Sequence, residues 1–221
     1  MIAFKRHFLA LAVFCLFHLP ASASACNAPE AVCNWADRIV GIKTPNMIAS
    51  GTMITDGFIV TNRHVAEDHA RVMTRDIKGR IRSATPLAHN FAADLVILRM
   101  ESANGVPDNV RAVAGGKPQK LYVVAFDQGR NGPRVYAAGD FALYPAVDAS
   151  SRARIHTNAR ALPGNSGGAV VDSDGRLVGI LASGDGKISE VIPAAHIASV
   201  LQSTNPQYER EFLDIGTAIR L

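Results

Sequence analysis

The residues best suited to chemistry in this sequence surround Ser166. Residues 163–168 read PGNSGG, so glycines stand on both sides of the serine. Because glycine adopts backbone conformations that other residues avoid, such a loop can present the Ser166 hydroxyl and direct the N–H groups of Gly164 and Ser166 into one small space. We predict a nucleophile whose oxyanion loop is formed by Gly164, Asn165 and Ser166. The alternative is a glycine-rich hairpin turn with an incidental serine.

A general base for this serine is available in His64. Residues 50–65 read SGTMITDGFIVTNRHV, in which Asp56-Gly57 between apolar positions predicts a tight hairpin turn. His64 would follow the second strand of that hairpin and project from a rigid element. Its ordinary pKa lies close to working pH, which suits proton transfer. Taken alone, His64 also fits an ordinary loop histidine.

A carboxylate begins another apolar segment at Asp94. Residues 91–99 read FAADLVILR, so one acidic side chain precedes a run of strand-forming residues. Burying such a charge costs free energy unless it is paired or hydrogen-bonded, and a partner is therefore expected. A turn residue that caps the loop is the alternative interpretation of Asp94.

Most of the remaining sequence predicts an all-β protein. Short apolar stretches alternate with Gly, Pro, Asn and Asp, and helical spacing is rare. The predicted strands of a first group are Ile39–Ile42, Ile48–Ile54, Gly57–Thr61, Arg71–Thr74, Arg80–His89 and Leu95–Met100. Those of a second group are Leu121–Phe126, Val135–Tyr144, Arg154–Thr157, Ala169–Asp172, Leu177–Leu181 and Glu190–Ile192. Six strands in each group indicate two similar β-barrels.

The segments outside these groups complete the domain assignment. We predict a first barrel over about 38–100, a linker over about 101–120 and a second barrel over about 121–193. Pro193 precedes apolar positions at helical spacing, which predicts a C-terminal helix over about 194–202. Residues 203–221 form a tail without a clear pattern. All of residues 26–221 are assigned to one domain.

The first 25 residues are typical of a secretory signal peptide. Lys5 and Arg6 precede an apolar run from Phe8 to Leu19, and an Ala-Ser-Ala-Ser-Ala segment ends at Ala25. The run is too short to span a bilayer, which takes about 20 residues. We expect export to the periplasm or the medium. Lipid anchoring at Cys26 is the less favoured alternative, because lipoprotein signals usually carry Leu where this chain has Ala23.

Two cysteines, Cys26 and Cys33, would remain after removal of that segment. Thiols of an exported chain tend to oxidise, and a disulfide that pins the N-terminal arm is expected, with free thiols or an intermolecular bond as alternatives. The formal net charge of the whole chain is +4, without long charged runs. This pattern gives no indication of nucleic acid binding. No motif specifies an oligomeric state.

Taken together, these segments closely resemble the trypsin-like serine proteases, most nearly the exported bacterial proteases of the Deg/HtrA type. The spacing agrees, with 30 positions from His64 to Asp94 and 72 from Asp94 to Ser166. The similarity runs from about Ile39 to Leu201. The residues that carry it are Thr61–Val65, Ala93–Leu98, Gly164–Gly168, Gly175 and Leu177–Ile180.

The resemblance implies two six-stranded antiparallel barrels with a catalytic site between them. His64 and Asp94 would come from the first barrel and Ser166 from the second. Ser166 would attack a peptide carbonyl, His64 would take and return the proton, and Asp94 would orient the imidazole. Polypeptides are the implied substrates, and no metal or organic cofactor is required. Relatives often carry a PDZ domain after the protease, and because only 203–221 follow the predicted helix, we expect none here.

By the same resemblance, four residues would line the pocket for the side chain before the scissile bond. Arg160 would lie at its floor, and Leu181, Ala182 and Ser183 would form one wall. An inward guanidinium would favour acidic side chains by charge pairing, whereas extension of Arg160 to the surface is the preferred interpretation.

Two alternatives to an active protease follow from the same residues. Residues 164–168 also match the G-x-S-x-G motif of α/β-hydrolases, with His196 after the serine, but the surrounding hairpins disfavour that fold. His69, His89, His156 and His196 are then interpreted as surface or loop histidines. A catalytically silent or partner-activated binding module is the second alternative, which the intact set of three residues disfavours.

Overall fold

The first sheet is a closed antiparallel barrel. The computed structural model describes residues 26–101, 110, 112, 120–143 and 150–203. Strands of this sheet follow the order β1-β2-β3-β6-β5-β4, with β1 and β4 paired to close it. The first predicted barrel is thereby confirmed. Its strands are β1 (Ile39–Lys43), β2 (Ile48–Thr55), β3 (Phe58–Thr61), β4 (Val72–Arg75), β5 (Ile81–Leu87) and β6 (Val96–Met100).

The local sequence explains the barrel's tightest turn and its interior. β2 and β3 are joined at Asp56-Gly57, where Gly57 has φ +81°, a conformation that L side chains avoid. Alternate positions along the strands point inward and exclude water from one apolar cluster. That interior includes Val40, Ile42, Ala49, Met53, Ile59, Val72, Ala84, Val96, Leu98 and Met100.

The second sheet has seven strands and does not close into a continuous ladder. Its order is β8-β7-β11-β12-β13-β10-β9, so β8 and β9 form the two edges. A closed six-stranded second barrel is therefore not confirmed. The strands are β7 (Leu121–Asp127), β8 (Gly132–Val135), β9 (Phe141–Leu143), β10 (Ile155–Thr157), β11 (Ala169–Asp172), β12 (Leu177–Gly184) and β13 (Ser189–Pro193).

The difference arises where one strand was predicted over Val135–Tyr144. The chain bends there, so that β8 pairs with β7 and β9 pairs with β10 at the opposite edge. Between them, Gly139 exchanges two backbone hydrogen bonds with Leu121, each 2.8 Å long. A Cβ on Gly139 would lie 2.1 Å from the backbone N of Ala159, so only glycine permits this close approach. Tyr144 lies outside the described residues.

The N-terminal arm packs against the second sheet. It contains one helical turn, α1 (Glu30–Cys33), and a 3-10 helix (Asn34–Arg38). The expected disulfide joins Cys26 to Cys33. Trp35 is buried, and its indole Nε1–H donates a 2.8 Å hydrogen bond to the carbonyl oxygen of Gly175, in the turn between β11 and β12. The arm therefore joins the start of the barrel to a turn of the other sheet.

Two further helices flank the strands. α2 (Arg63–Ala66) begins after Asn62, the residue that follows β3. α3 (Ala195–Gln202) covers the predicted helix except Ala194, which is its N-cap. α3 buries Ile197, Val200 and Leu201 in the apolar cluster between the two sheets. Among the residues with a described structure, no helix has the length and apolar character needed to cross a membrane.

Several predicted segments fall partly or wholly outside the described residues. They are the signal peptide over 1–25, most of the linker over 101–120 and the tail beyond 203. Within the linker, Val110 and Ala112 are buried, and Ala112 forms a parallel bridge with Leu177. This part of the linker therefore packs against the second sheet.

Candidate active site

Strand pairing brings His64 and Asp94 together. β3 runs antiparallel to β6 with Thr61 opposite Val96, so the residues after β3 lie beside those before β6. His64 Nδ1 is 2.8 Å from Asp94 Oδ2, and the backbone N–H of His64 donates to Asp94 Oδ1 at 3.1 Å. Asn62 Nδ2 also donates to the Asp94 carbonyl oxygen. The carboxylate therefore holds the Nδ1 side of the imidazole and leaves Nε2 for another partner.

The charges of this pair stabilise each other. The hydrogen bond that the His64 ring donates to Asp94 raises the pKa of His64 above its ordinary value, although partial burial acts in the opposite direction. Burial acts to raise the pKa of Asp94, but the side-chain and backbone hydrogen bonds from His64 outweigh it and lower that pKa. Asp94 is thus a carboxylate near neutral pH, and His64 is a stronger base than a free histidine.

The segment around Ser166 takes the backbone shape that its glycines allow. Gly164 has φ +91° and Gly167 has φ +88°. A Cβ on Gly167 would lie 2.0 Å from the carbonyl oxygen of Ser50, so a side chain at this position would collide with β2. The Gly167 N–H donates to the Leu181 carbonyl at 2.9 Å. Glycine at 167 is therefore needed to bring the serine loop against the first barrel.

Asn165 anchors the loop from inside. Its side chain is buried, with Oδ1 accepting the N–H of Leu162 at 2.8 Å. Its Nδ2 donates to the Phe126 carbonyl and to the Tyr136 hydroxyl, at 3.1 and 3.0 Å. Its own backbone N–H donates to the Leu162 carbonyl at 3.0 Å. Because this N–H is already used, Asn165 serves to position the predicted oxyanion loop. The N–H groups that could donate to an anion belong to the residues on either side of it.

Those neighbours are Gly164 and Ser166. Within the part of the chain that the structure describes, neither backbone N–H donates to a protein acceptor. Free N–H groups two residues apart on a rigid loop are suited to a developing oxyanion.

Ser166 and His64 line one cleft of about 600 Å³ between the barrel and the second sheet. The Ser166 hydroxyl donates to the Ala182 carbonyl oxygen at 2.9 Å in this structure. Proton transfer to His64 requires that the hydroxyl give up its hydrogen bond to this carbonyl oxygen. The other residues lining the cleft are Lys43, Thr44, Pro45, Asn46, Met47, Ile48, Ala49, Gln128, Pro163 and Gly164.

Ser50 and Thr52 are contacts of this loop that the sequence analysis missed. The Ser50 N–H donates to the Ser166 carbonyl at 2.8 Å, and Thr52 Oγ1 donates to the Gly167 carbonyl at 2.9 Å. Both residues lie on β2 and are fully buried. The available sequence signal was a pair of hydroxyl residues two positions apart on a largely apolar strand, because buried hydroxyls need partners.

The four residues predicted for the specificity pocket differ in their environments. Leu181 and Ala182 are buried on β12, whereas Ser183 is exposed and its hydroxyl donates to Glu190 Oε2 at 3.2 Å. Arg160 is exposed and forms no ion pair with any residue described in the structure. Its exposure favours the surface alternative for the guanidinium.

The other histidines have separate environments. His89 Nε2 is 2.8 Å from the Leu95 carbonyl and its Nδ1 accepts the Phe91 N–H, and burial lowers its pKa. This histidine therefore braces the loop that carries Asp94. His196 is buried on α3, with its ring edge-on to Phe91 at 5.6 Å, so the surface interpretation of His196 was wrong. Helical spacing placed it on the face that packs against this loop.

The family model of the trypsin-like peptidase domain matches residues 49–180. The chain therefore belongs to the trypsin-like peptidase family. A probable periplasmic serine endoprotease DegP-like of Chlamydia pneumoniae is 30% identical over 149 residues, which cover 59% of this chain and 28% of the relative. The serine endoprotease DegS of Escherichia coli (strain K12) is 29% identical over 170 residues, covering 69% of this chain and 46% of DegS.

Solved structures agree in fold. The HtrA-type protease AlgW with tripeptide superposes with a TM-score of 0.67 at 24% identity, over 78% of this chain and 62% of that chain. The serine endoprotease from Yersinia pestis superposes with a TM-score of 0.65 at 24% identity, over 78% of this chain and 64% of that chain. The predicted resemblance to the Deg/HtrA-type trypsin-like serine proteases is confirmed by the family model together with the DegP-like and DegS relatives. The chain spans less than half the length of the two curated relatives.

Proposed function

We propose that this protein is an exported serine endopeptidase with a catalytic triad of Ser166, His64 and Asp94. The observation that carries the proposal is the 2.8 Å bond between His64 and Asp94, in a cleft that His64 shares with Ser166. This bond leaves imidazole Nε2 as the site for the serine proton. The proposal is further supported by the family to which the chain belongs.

The reaction would proceed through an acyl-enzyme. Ser166 Oγ attacks the peptide carbonyl while His64 Nε2 removes its proton, and the N–H groups of Gly164 and Ser166 stabilise the oxyanion. Protonated His64 then gives the proton to the leaving amine. In deacylation, water attacks the acyl-enzyme carbonyl while His64 removes its proton. His64 then returns the proton to Ser166, and the product with the new carboxylate is released. Asp94 remains ionised and stabilises the imidazolium.

Export is part of the proposal. It is supported by the disulfide at Cys26 and Cys33, since such bonds persist in oxidising compartments. The DegP-like relatives from two Chlamydia species are also named as probable periplasmic endoproteases. We propose that residues 1–25 are removed as a signal peptide and that the protein acts on polypeptides outside the cytoplasm.

A partner-activated form is the second candidate. Its support is the 2.9 Å hydrogen bond from the Ser166 hydroxyl to the Ala182 carbonyl, which directs the nucleophile's proton away from imidazole. In a resting state of this kind, a bound polypeptide would compete for the Ala182 carbonyl and release the hydroxyl toward His64. A catalytically silent binding module would retain this bond under all conditions.

Cleavage of casein by wild type and Ser166→Ala tests the main proposal. We expect the alanine variant to lose the activity, with unchanged unfolding as evidence that it is folded. Equal cleavage by both proteins would refute the triad.

Labelling with a fluorophosphonate separates the remaining candidates. Modification of Ser166 without additions indicates a constitutive enzyme, and modification only with added peptide indicates activation. Absence of an adduct under every condition indicates the silent module.

A further inference from the structure

Large apolar side chains are exposed on one outer face of the barrel. Ile48, Met73 and Ile81 are 40%, 44% and 64% exposed. All three line a second cavity, of about 470 Å³, on the surface formed by β1, β4, β5 and the start of β2. Exposed apolar residues are ordinarily scattered, whereas a contiguous group marks a binding surface.

The strand register explains why these side chains share a face. Lys43 on β1 lies opposite both Ile48 on β2 and Met73 on β4. Residues directly opposite in antiparallel strands project to the same side of the sheet. Val72 and Thr74, on either side of Met73, are buried in the barrel. The outward direction of Met73 is therefore fixed by the pleat.

The strand register also places the cavity residues on β4 and β5 on the outer face of the barrel. Arg75 lies opposite Ile81 on β5 and opposite Gly41 on β1. A Cβ on Gly41 would lie 2.9 Å from ring carbons of Phe126, which belongs to the second sheet. Glycine at this position lets the aromatic ring cover β1 and close one side of the cavity. Both sheets thus form a preorganised site.

This cavity continues the candidate active-site cleft. Lys43 and Ile48 line both spaces, and Met47, 40% exposed, lines the cleft beside them. A polypeptide that passes His64 along the loop from Lys43 to Ile48 therefore reaches the cavity without crossing another element.

The charge of the cavity is positive. Among the residues that the structure describes, Lys43 and Arg75 form no ion pair, and the buried Arg75 Nε has no hydrogen-bond partner. By contrast, Arg80 and Arg82 of the same hairpin both bind the Asp76 carboxylate. Because Lys43 and Arg75 line the cavity without an acidic partner among the described residues, a ligand carboxylate can pair with them.

We propose that this apolar and basic cavity binds the substrate polypeptide downstream of the scissile bond, selecting a segment with a large apolar side chain and a carboxylate. The inference rests on the proposed function. The direction follows because Leu181 and Ser183, predicted to contact the residue before the scissile bond, do not line the cleft that leads to the cavity. The chain entering that cleft from Ser166 is therefore the leaving side.

Binding can be measured without cleavage in the Ser166→Ala protein. Two fluorescent peptides share the same upstream half and differ only downstream, one carrying Leu and Glu, the other Ser and Lys. Fluorescence anisotropy should show that the Leu/Glu peptide binds about tenfold tighter or more, a free-energy difference of about 1.4 kcal/mol. Added salt should reduce the difference, because the charge contribution is screened. Equal affinities would overturn the proposal.

Variants in the same background identify the binding surface. Met73→Ser and Ile81→Ser should each weaken the Leu/Glu peptide several-fold, and Arg75→Ala should abolish most of its salt dependence. Ile77→Ser and Lys78→Ala are matched controls, since both side chains are exposed on the same hairpin but do not line the cavity. Unchanged affinity in the cavity variants, or equal losses in the controls, would contradict the assignment.

Failure of this inference can be distinguished from failure of the proposed function. In one outcome, wild type fails to cleave while the Ser166→Ala protein still binds the Leu/Glu peptide more tightly, and Met73→Ser removes that difference. This outcome would support the docking site and refute the proposed protease activity. If wild type cleaves both peptides equally and their affinities match, the enzyme stands and the docking site is refuted.

Discussion

The Ser50 hydroxyl donates a 2.8 Å hydrogen bond to the carbonyl oxygen of Gly164 and links the first barrel to the predicted oxyanion loop. The hydroxyl oxygen of Ser50 also accepts the backbone N–H of Phe126 at 2.9 Å. Ser50 is fully buried on β2, so water cannot replace either contact. The Ser50 side chain therefore fixes the Gly164 carbonyl, next to the predicted oxyanion donors, relative to both sheets.

Ser50→Ala should reduce turnover more than substrate binding. Loss of the hydroxyl releases the Gly164 carbonyl, and we expect kcat to fall about tenfold to a hundredfold as the donors lose alignment. Because the Phe126 N–H also loses its acceptor, the free energy of unfolding should fall by about 1–3 kcal/mol. Steady-state kinetics and urea unfolding measure the two effects.

Ser83→Ala is the matched control for that variant. The Ser83 hydroxyl is buried on β5 but has no hydrogen-bond partner among the described residues. Its removal should leave kcat unchanged. A Ser50→Ala protein with lower stability and wild-type kcat would show that Ser50 supports only the fold.

The activity should depend on pH through His64. Neutral imidazole is required as the base, and the hydrogen bond that the His64 ring donates to Asp94 raises the pKa of His64. kcat/KM should therefore rise with pH as His64 loses its proton. The midpoint of this rise should lie above the ordinary histidine pKa of about 6.5. A profile with its midpoint below that value would contradict the structure.

Asp94→Asn tests the cause of that midpoint. Without the carboxylate, the pKa of His64 should fall, so the acid limb of the profile should move to lower pH. The rate should also drop about 10³- to 10⁴-fold, because the amide no longer orients or stabilises the imidazolium. An unchanged midpoint would show that another group controls the limb.

His64 and Asp94 make the free energy of unfolding depend on pH in opposite directions. The raised pKa of His64 contributes stability below the ordinary histidine pKa, and this contribution is lost as pH rises through the raised value. The lowered pKa of Asp94 contributes stability above the ordinary aspartate pKa, and this is lost as pH falls through the lowered value. Stability contributed by the pair should therefore be greatest between the two ordinary values.

Local sequence signals predicted the parts of the fold that depend on short segments. Asp56-Gly57 specified a hairpin, and pairing of β3 with β6 then brought His64 to Asp94. The bend between β8 and β9 was missed, because it depends on the close approach of Gly139 to Ala159, which is distant in sequence.

The site shows the same division. The glycines around Ser166 predicted an unusual loop. The hydrogen bond between Ser50 and Gly164 was not predicted, because these residues are 114 positions apart and produce no local sequence pattern. The hydrogen bond from Ser166 to Ala182 likewise depends on which of the possible rotamers the fold favours. Residue types thus predicted the chemistry, whereas the supporting contacts required the three-dimensional structure.

Removing the disulfide should loosen the N-terminal arm. The bond between Cys26 and Cys33 closes a short loop, for which the chain-entropy model gives a stabilisation of about 2–3 kcal/mol. We expect a double Cys26→Ser, Cys33→Ser variant to unfold at lower urea concentration than wild type. A reducing agent should shift wild type toward the variant and leave the variant unchanged. Equal midpoints would show that the buried Trp35 holds the arm without the disulfide.

Arg160 offers a last test, of specificity before the scissile bond. Its exposed side chain keeps the guanidinium in water, where charge pairing with a substrate carboxylate is screened. We therefore expect a peptide library to show no enrichment of Asp or Glu at that position, and the same profile for Arg160→Ala. Enrichment in wild type that disappears in the variant would establish the inward arrangement instead. If the library shows no such enrichment, selectivity at this position should depend on side-chain size rather than charge, because Leu181 and Ala182 are buried on β12, where the Ala182 carbonyl accepts the Ser166 hydroxyl.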